Sequence, residues 1–223
     1  MRNDQTMNAL HHEEIEEYLT AFNAVGYSSV LLEARKKAER DYVPVVSSNV
    51  FALLSFLSGL KHPHNILELG TGYGISTAAM LANAPEAAVL SVDIKKERQE
   101  QANVFLQKLG VSDRCEMITA DFRSKEFIET LKGKTFDMVF IDAAKGQFEL
   151  LLDALLPFVA QGGLIVFDNV FINGWVLSCS WPNHRQKTAV IRMQEFLQNV
   201  ARDERVERLL LPLDDGNLIL KKK

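Results

Sequence analysis

From residue 65 onward, short apolar runs alternate with segments of helical periodicity. Several runs, including VLSV, MVFI and LIVF, are apolar on both faces, which is typical of parallel strands covered by helices on both sides. Repeated strand–helix units predict a doubly wound α/β fold, whose five parallel strands and a C-terminal hairpin together give a mostly parallel, seven-stranded sheet. The predicted strands are Asn65–Leu69, Ala88–Asp93, Cys115–Thr119, Phe136–Ile141 and Gly163–Phe167, separated by helices over 75–83, 96–109, 124–131 and 146–160.

The two ends of the chain have different patterns. Residues 1–62 have helical periodicity throughout, and we expect them to form a cap on the α/β core of residues 63–223, giving a single domain over 1–223. After a predicted helix over about 185–202, two apolar runs surround an Asp-Asp-Gly-Asn sequence at 214–217, which predicts a hairpin. This hairpin would add an antiparallel edge to the sheet, with the C-terminal lysines protecting that edge.

The composition restricts the class of protein. Of 223 residues, 47% are hydrophobic and 24% are charged, which is typical of a soluble globular protein. The net charge of −4 argues against a protein that coats nucleic acid. The two cysteines have no zinc-ligand spacing, and the sequence shows no signal peptide or membrane-spanning stretch. These features predict a cytoplasmic protein with no membrane partner.

A glycine-rich turn follows the first predicted strand. It reads ELGTGYG from Glu68 to Gly74, and its glycines allow a sharp turn and a close approach of a ligand to the main chain. Asp93 ends the next predicted strand, where doubly wound folds place a carboxylate against ribose hydroxyls. Ile75 stands where a dinucleotide fingerprint has its third glycine, whereas G-x-G-x-G after Glu68 resembles the first motif of S-adenosylmethionine-dependent methyltransferases.

Two further predicted strands end in residues with oxygen ligands. Asp142 follows the fourth strand, and Asp168 and Asn169 follow the fifth. Because neighbouring parallel strands end at the same edge of a sheet, we expect these side chains to lie together. Two carboxylates and an amide suit Mg²⁺, which keeps water or substrate oxygens in its other positions.

Taken together, ELGTGYG, Asp93, FIDAAKG and FDN resemble the cation-dependent O-methyltransferase family that includes catechol and caffeoyl-CoA O-methyltransferases, over roughly residues 40–223. The resemblance implies a class I methyltransferase fold, a homodimer, S-adenosylmethionine, and Mg²⁺ or another divalent cation. It implies that Lys145 is the catalytic base, acting beside Asp142, and that Asp142, Asp168 and Asn169 are the metal ligands. The cofactor-binding residues it implies are Val46, Glu68, Gly70, Thr71, Gly72, Ser76, Asp93, Asp121, Phe122 and Asp142.

The acceptor is left open by the sequence. The leading hypothesis is a small catechol-type molecule, methylated on a hydroxyl next to a second oxygen. The alternative is a tRNA base, because YVPVV, DAAKGQF and LPLDDGNLILKKK are similar to bacterial tRNA 5-hydroxyuridine methyltransferases. In that case Arg185, Lys187 and Arg192 would contact RNA phosphates. A nicotinamide-dependent oxidoreductase and a non-catalytic binding protein are more distant alternatives.

Overall fold

A computed structural model describes residues 12–142, 146–178 and 184–223. It confirms the predicted α/β fold with a mostly parallel seven-stranded sheet. Within the described ranges the strands are β1 (Asn65–Leu69), β2 (Ala88–Asp93), β3 (Cys115–Thr119), β4 (Phe136–Ile141), β5 (Val159–Asp168), β6 (Val206–Leu211) and β7 (Asn217–Lys222). Their order is β3-β2-β1-β4-β5-β7-β6, with β1 to β5 parallel to one another and β7 antiparallel to both β5 and β6.

Three helices precede the first strand in the described part of the chain, and most later strands are linked by helices. The α-helices of the described ranges are α1 (His12–Asn23), α2 (Ser29–Arg40), α3 (Ser48–Lys61), α4 (Ile75–Ala82), α5 (Lys96–Lys108), α6 (Lys125–Thr130), α7 (Phe148–Leu155) and α8 (His184–Val200). None of the described helices combines the length and apolar character that a membrane crossing needs.

The sheet is buried between two helical layers because its central strands are apolar on both faces. Val139 and Ile141 of β4 pack into one hydrophobic cluster with residues of α6, α7 and α8. Met138 and Phe140 of the same strand pack into a second cluster with residues of α3, α4 and α5. Because successive side chains of a strand point to opposite faces of the sheet, the sheet divides the hydrophobic core into two clusters.

An aromatic cluster fixes the end of β5, where the candidate site begins. Phe167 lies 4.9 Å from Phe148 and 5.2 Å from Phe196, measured between ring centroids, and all three rings are buried. Such tilted aromatic pairs add to the free energy of area burial by about 0.5–1.5 kcal/mol each. The cluster anchors the backbone immediately before Asp168.

The predicted helix over 146–160 is too long at both ends. Helix α7 ends at Leu155, and a short 3-10 helix over Leu156–Phe158 leads directly into β5 at Val159. Pro157 explains the difference at the C-terminal end, because proline has no backbone N–H and cannot continue an α-helix.

The predicted antiparallel edge is confirmed, because the hairpin of β6 and β7 ends the sheet after β5. The role predicted for the C-terminal lysines is wrong, because Lys221 and Lys222 belong to β7, which lies between β5 and β6, and β6 is the strand at this edge. Residues 217–220 are buried, whereas most of β6 is exposed, which explains why β7 takes the inner position. Lys222 instead donates hydrogen bonds to the carbonyls of Leu156 and Val159, at 2.9 and 2.8 Å.

Candidate functional site

A cavity of about 560 Å³ opens at the carboxyl ends of the parallel strands. This is the edge at which doubly wound sheets bind their ligands. Its wall is formed by the turn after β1, the ends of β2, β4 and β5, the segment before α3, and the turn between β6 and β7. The described lining residues are Pro44, Val45, Val46, Ser47, Val50, Gly70, Thr71, Gly72, Tyr73, Ile75, Ser76, Asp93, Arg98, Asp142, Asp168, Asn169, Asn173, Asp214 and Asp215.

The glycine-rich turn is held from below by Glu68, which is fully buried. Its carboxylate accepts hydrogen bonds from the hydroxyls of Ser76, Thr77 and Ser91, each at 2.5 Å. Burial raises the pKa of Glu68 to about 7, the three hydroxyl donors oppose that rise, and the charge of Asp142 adds to it. Glu68 thus connects β1, β2 and the start of α4 beneath the cavity.

Gly74 shows why the turn needs glycine. It caps α4 with a φ of 79°, a left-handed conformation that side-chain-bearing residues rarely adopt. A Cβ atom there would also lie 3.1 Å from the Cβ of Ala102 on α5. The turn therefore packs closely on α5 while its other side faces the cavity.

Asp93 lines the cavity and also holds two segments of the cavity wall together. The carboxylate is buried, with 5% of the residue exposed. One oxygen, Oδ2, accepts a hydrogen bond from the Gly72 N–H at 3.1 Å, and Oδ1 accepts one from the Lys95 N–H at 2.9 Å. Asp93 therefore fixes the glycine-rich turn relative to the residues that lead into α5.

The predicted cation ligands meet at the ends of β4 and β5. Asp142 and Asp168 each follow one member of the parallel pair Ile141 and Phe167, which places their backbones side by side, about 4.8 Å apart. Asn169 has a φ of 56°, so the chain turns sharply after Asp168. Two carboxylates and one amide on a shared cavity wall fit a hard divalent cation. Within the described ranges, no three His, Cys, Asp or Glu side chains form a metal-binding group.

The turn between β6 and β7 adds a part of the wall that the sequence analysis missed. Asp214 accepts hydrogen bonds from the Ser47 hydroxyl and from the Asn49 amide, the latter at 2.9 Å. Asn49 in turn accepts a hydrogen bond from the Asn23 amide at 2.8 Å. We call these four residues the Asp214 link, because they join α1 and the segment before α3 to the last hairpin.

The cavity is strongly acidic. Its described lining includes five aspartates, two of which, Asp214 and Asp215, come from the last turn. Arg98, near the start of α5, is the one lysine or arginine among the described lining residues. Such a wall favours cationic ligands over anionic ones.

The structure brings together most of the predicted site residues. Of these, Val46, Gly70, Thr71, Gly72, Ser76, Asp93, Asp142, Asp168 and Asn169 line the cavity. Glu68, Asp121 and Phe122 are not among its described lining residues. Asp121 forms an ion pair with Arg123 at 2.7 Å, and hydrogen bonds from this arginine lower the pKa of the carboxyl group. Lys145 lies outside the described residues.

Residues 23–223 match the O-methyltransferase family. The chain belongs to this family. The caffeoyl-CoA O-methyltransferase 1 of Eucalyptus globulus is 31% identical over 185 residues, covering 78% of this chain and 73% of the relative. The catechol O-methyltransferase of Mycobacterium tuberculosis is 31% identical over 157 residues, covering 69% of this chain and 70% of the relative. The structure of a Bacillus cereus O-methyltransferase in complex with SAH has a TM-score of 0.81 at 23% identity, covering 94% of this chain and 97% of that chain.

These findings confirm the predicted resemblance to S-adenosylmethionine-dependent O-methyltransferases of the catechol and caffeoyl-CoA type. The enzyme class predicted from the sequence, an O-methyltransferase, is therefore confirmed. The roles of individual residues, the divalent cation, the acceptor, the homodimer, the cytoplasmic location and the single-domain organisation stay predictions.

Proposed function

We propose that this O-methyltransferase moves the methyl group of S-adenosylmethionine to a hydroxyl next to a second oxygen on a small catechol-type acceptor. The proposal includes a divalent cation. One observation carries it: the glycine-rich turn with Asp93 and the oxygen ligands Asp142, Asp168 and Asn169 line the same cavity. The residues proposed to bind the methyl donor and those proposed to bind the acceptor therefore line one cavity.

The residues proposed to bind the donor lie over β1 and β2. Asp93 would accept hydrogen bonds from the ribose hydroxyls of S-adenosylmethionine, while the glycine-rich turn allows the donor to approach the backbone. The acidic wall suits the positively charged sulfonium group, because nearby carboxylates stabilise a cation. Val46 and Ser76 would contact the donor from either side.

The residues proposed to bind the acceptor lie over β4 and β5. Asp142, Asp168 and Asn169 would hold the divalent cation. When bound, the cation would lower the pKa of a neighbouring acceptor hydroxyl.

Methyl transfer then forms one bond and breaks one. The acceptor oxygen attacks the methyl carbon, an oxygen–carbon bond forms, and the carbon–sulfur bond of the donor breaks. Lys145, three residues after Asp142, would take the proton of the acceptor hydroxyl. Positioning of the two reactants in one cavity supplies much of the rate.

The testing experiment measures transfer of a labelled methyl group from S-adenosylmethionine to a panel of catechol-type molecules and to tRNA that lacks the modification. Each reaction is run with Mg²⁺, with excess chelator, and with Mg²⁺ restored. We expect methylated catechols only when Mg²⁺ is available. Methylation of tRNA alone would replace the small acceptor with RNA, and full activity in chelator would refute the cation-dependent reaction.

Asp93→Asn is expected to weaken S-adenosylmethionine binding by about 5- to 150-fold. This corresponds to the roughly 1–3 kcal/mol range for hydrogen bonds that involve a charged group. The asparagine keeps the shape of the side chain and can still accept the hydrogen bond from Gly72, although it loses the one from the Lys95 N–H. Calorimetric titration of the donor measures the effect.

Asp137→Asn is the comparison for Asp93→Asn, because Asp137 also accepts hydrogen bonds from two backbone N–H groups, those of His64 and Asn65, but is not among the described cavity residues. We expect it to leave donor affinity within about twofold, because substitutions away from the site rarely change binding. Equal donor affinity in Asp93→Asn and the wild type would remove Asp93 from the donor site.

A further inference from the structure

Asn217 lies directly beside the candidate cation ligands and has no part in the proposed reaction. It begins β7 and is completely buried. In the antiparallel register of β5 and β7 it stands opposite Asp168. Asp142, Asp168 and Asn217 therefore form a row across the ends of β4, β5 and β7.

The Asn217 amide contacts the carboxylate of Asp168. Its Nδ2 donates a hydrogen bond to Asp168 Oδ1 at 2.6 Å and a second one to the Gly216 carbonyl at 3.1 Å. The backbone N–H of Asn169 donates to the same Asp168 Oδ1 at 2.7 Å. Two donors from two different strands or turns thus converge on one oxygen, which fixes the rotation of the carboxylate. The opposite orientation of the amide would place two acceptor oxygens against each other.

This arrangement leaves a buried polar atom unpaired. Asn217 Oδ1 is buried and makes no hydrogen bond to any described residue. A buried carbonyl oxygen without a hydrogen bond destabilises the folded state. Leucine has the same branched arrangement of side-chain heavy atoms, and the next residues of β7, Leu218 to Leu220, are apolar. A polar residue at 217 is therefore a poor choice for stability alone, which is a pattern expected at functional positions.

We infer that Asn217 is a positioning residue that orients the Asp168 carboxylate for the divalent cation. The inference rests on the proposed function, since it requires a cation at Asp142, Asp168 and Asn169. Residues that orient metal ligands through hydrogen bonds affect metal affinity strongly, even though they do not touch the metal.

The test is a titration of the full-length protein with Mn²⁺, followed by electron paramagnetic resonance, in the absence of donor and acceptor. Asn217→Leu removes both the hydrogen bond to Asp168 and the unpaired oxygen. We expect the Mn²⁺ dissociation constant to rise about 10- to 100-fold. The thermal midpoint is measured for each variant, because losing the donor to the buried Asp168 carboxylate lowers stability and removing the unpaired oxygen raises it.

Leu218→Val is the matched control, because Leu218 is the next residue of β7, is 2% exposed and packs in the core. It should lower the thermal midpoint and leave Mn²⁺ affinity unchanged. Asn217→Ser, whose hydroxyl can still donate a hydrogen bond, should bind Mn²⁺ with an affinity between those of the wild type and Asn217→Leu. This variant also keeps the test valid if Asn217→Leu does not fold.

The outcomes separate the inference from the proposed function. Equal Mn²⁺ affinity in the wild type and the Asn217 variants would overturn the inference and leave the cation site in place. An equal loss of affinity in Leu218→Val would also overturn it, because general packing would then explain the effect. A wild-type protein that binds no Mn²⁺ would overturn the cation site, and the inference with it.

Discussion

Asp168→Asn is expected to lower kcat/KM for methyl transfer by about 1,000-fold. The carboxylate is buried, with 4% of the residue exposed, and it accepts hydrogen bonds from Asn169 and Asn217. Asparagine has the same shape but lacks the negative charge that a divalent cation needs. A cation that stabilises charge in the transition state contributes several kcal/mol, and about 4 kcal/mol corresponds to this factor. Initial rates at saturating Mg²⁺ measure the loss.

Asp137→Asn is the control for this prediction. Asp137 lies near the opposite end of β4, where its carboxylate also accepts two N–H donors, from His64 at 2.8 Å and Asn65 at 3.0 Å. It should leave kcat/KM within about twofold, because substitutions away from the site rarely change catalysis. A rate for Asp168→Asn within tenfold of the wild type would mean that Asp168 does not serve the cation.

Lys145→Met should lower kcat by about 100- to 10,000-fold, the usual contribution of a general base. Methionine keeps much of the length of the lysine side chain but cannot take a proton. Affinity for S-adenosylmethionine should not change, because the amine would act on the acceptor hydroxyl and not on the donor. Single-turnover kinetics with saturating acceptor, together with calorimetry for the donor, separate these two effects.

A second lysine near β4 controls for the loss of a positive charge. Lys134 is exposed and precedes β4 in the chain, whereas Lys145 follows it in the sequence. Lys134→Met should leave kcat unchanged. If Lys145→Met also kept its turnover with acceptor saturating, another group would have to accept the proton.

The first four strands could be predicted to the residue because each is a short, largely apolar run. The start of β5 could not. Its pairing with β4 is irregular, since Phe136 pairs with Val159 while Met138 pairs with Leu164. Gln161 and two glycines lie within this irregular stretch, so the local sequence is typical of a turn and not of a strand.

The candidate site was predictable where it follows the ends of parallel strands. Doubly wound sheets bind ligands at the carboxyl ends of their parallel strands. Asp93, Asp142 and Asp168 each lie at such a strand end, so the predicted strands were enough to place them together. Asp214 and Asp215 were interpreted only as turn residues. Their place in the cavity depends on β7 pairing with β5, which is a long-range contact that no local pattern encodes.

The Asp214 link has a consequence for how the protein is made. Ser47 and Asn49 bind a residue that is 167 and 165 positions further along the chain. During synthesis at about 5–20 residues per second, Asp214 follows Ser47 by on the order of ten seconds or more. Contacts of such high sequence separation also slow folding, because a long loop must close before they form. Until then β5 would present an unpaired edge, so we expect the nascent enzyme to depend on chaperones during this interval.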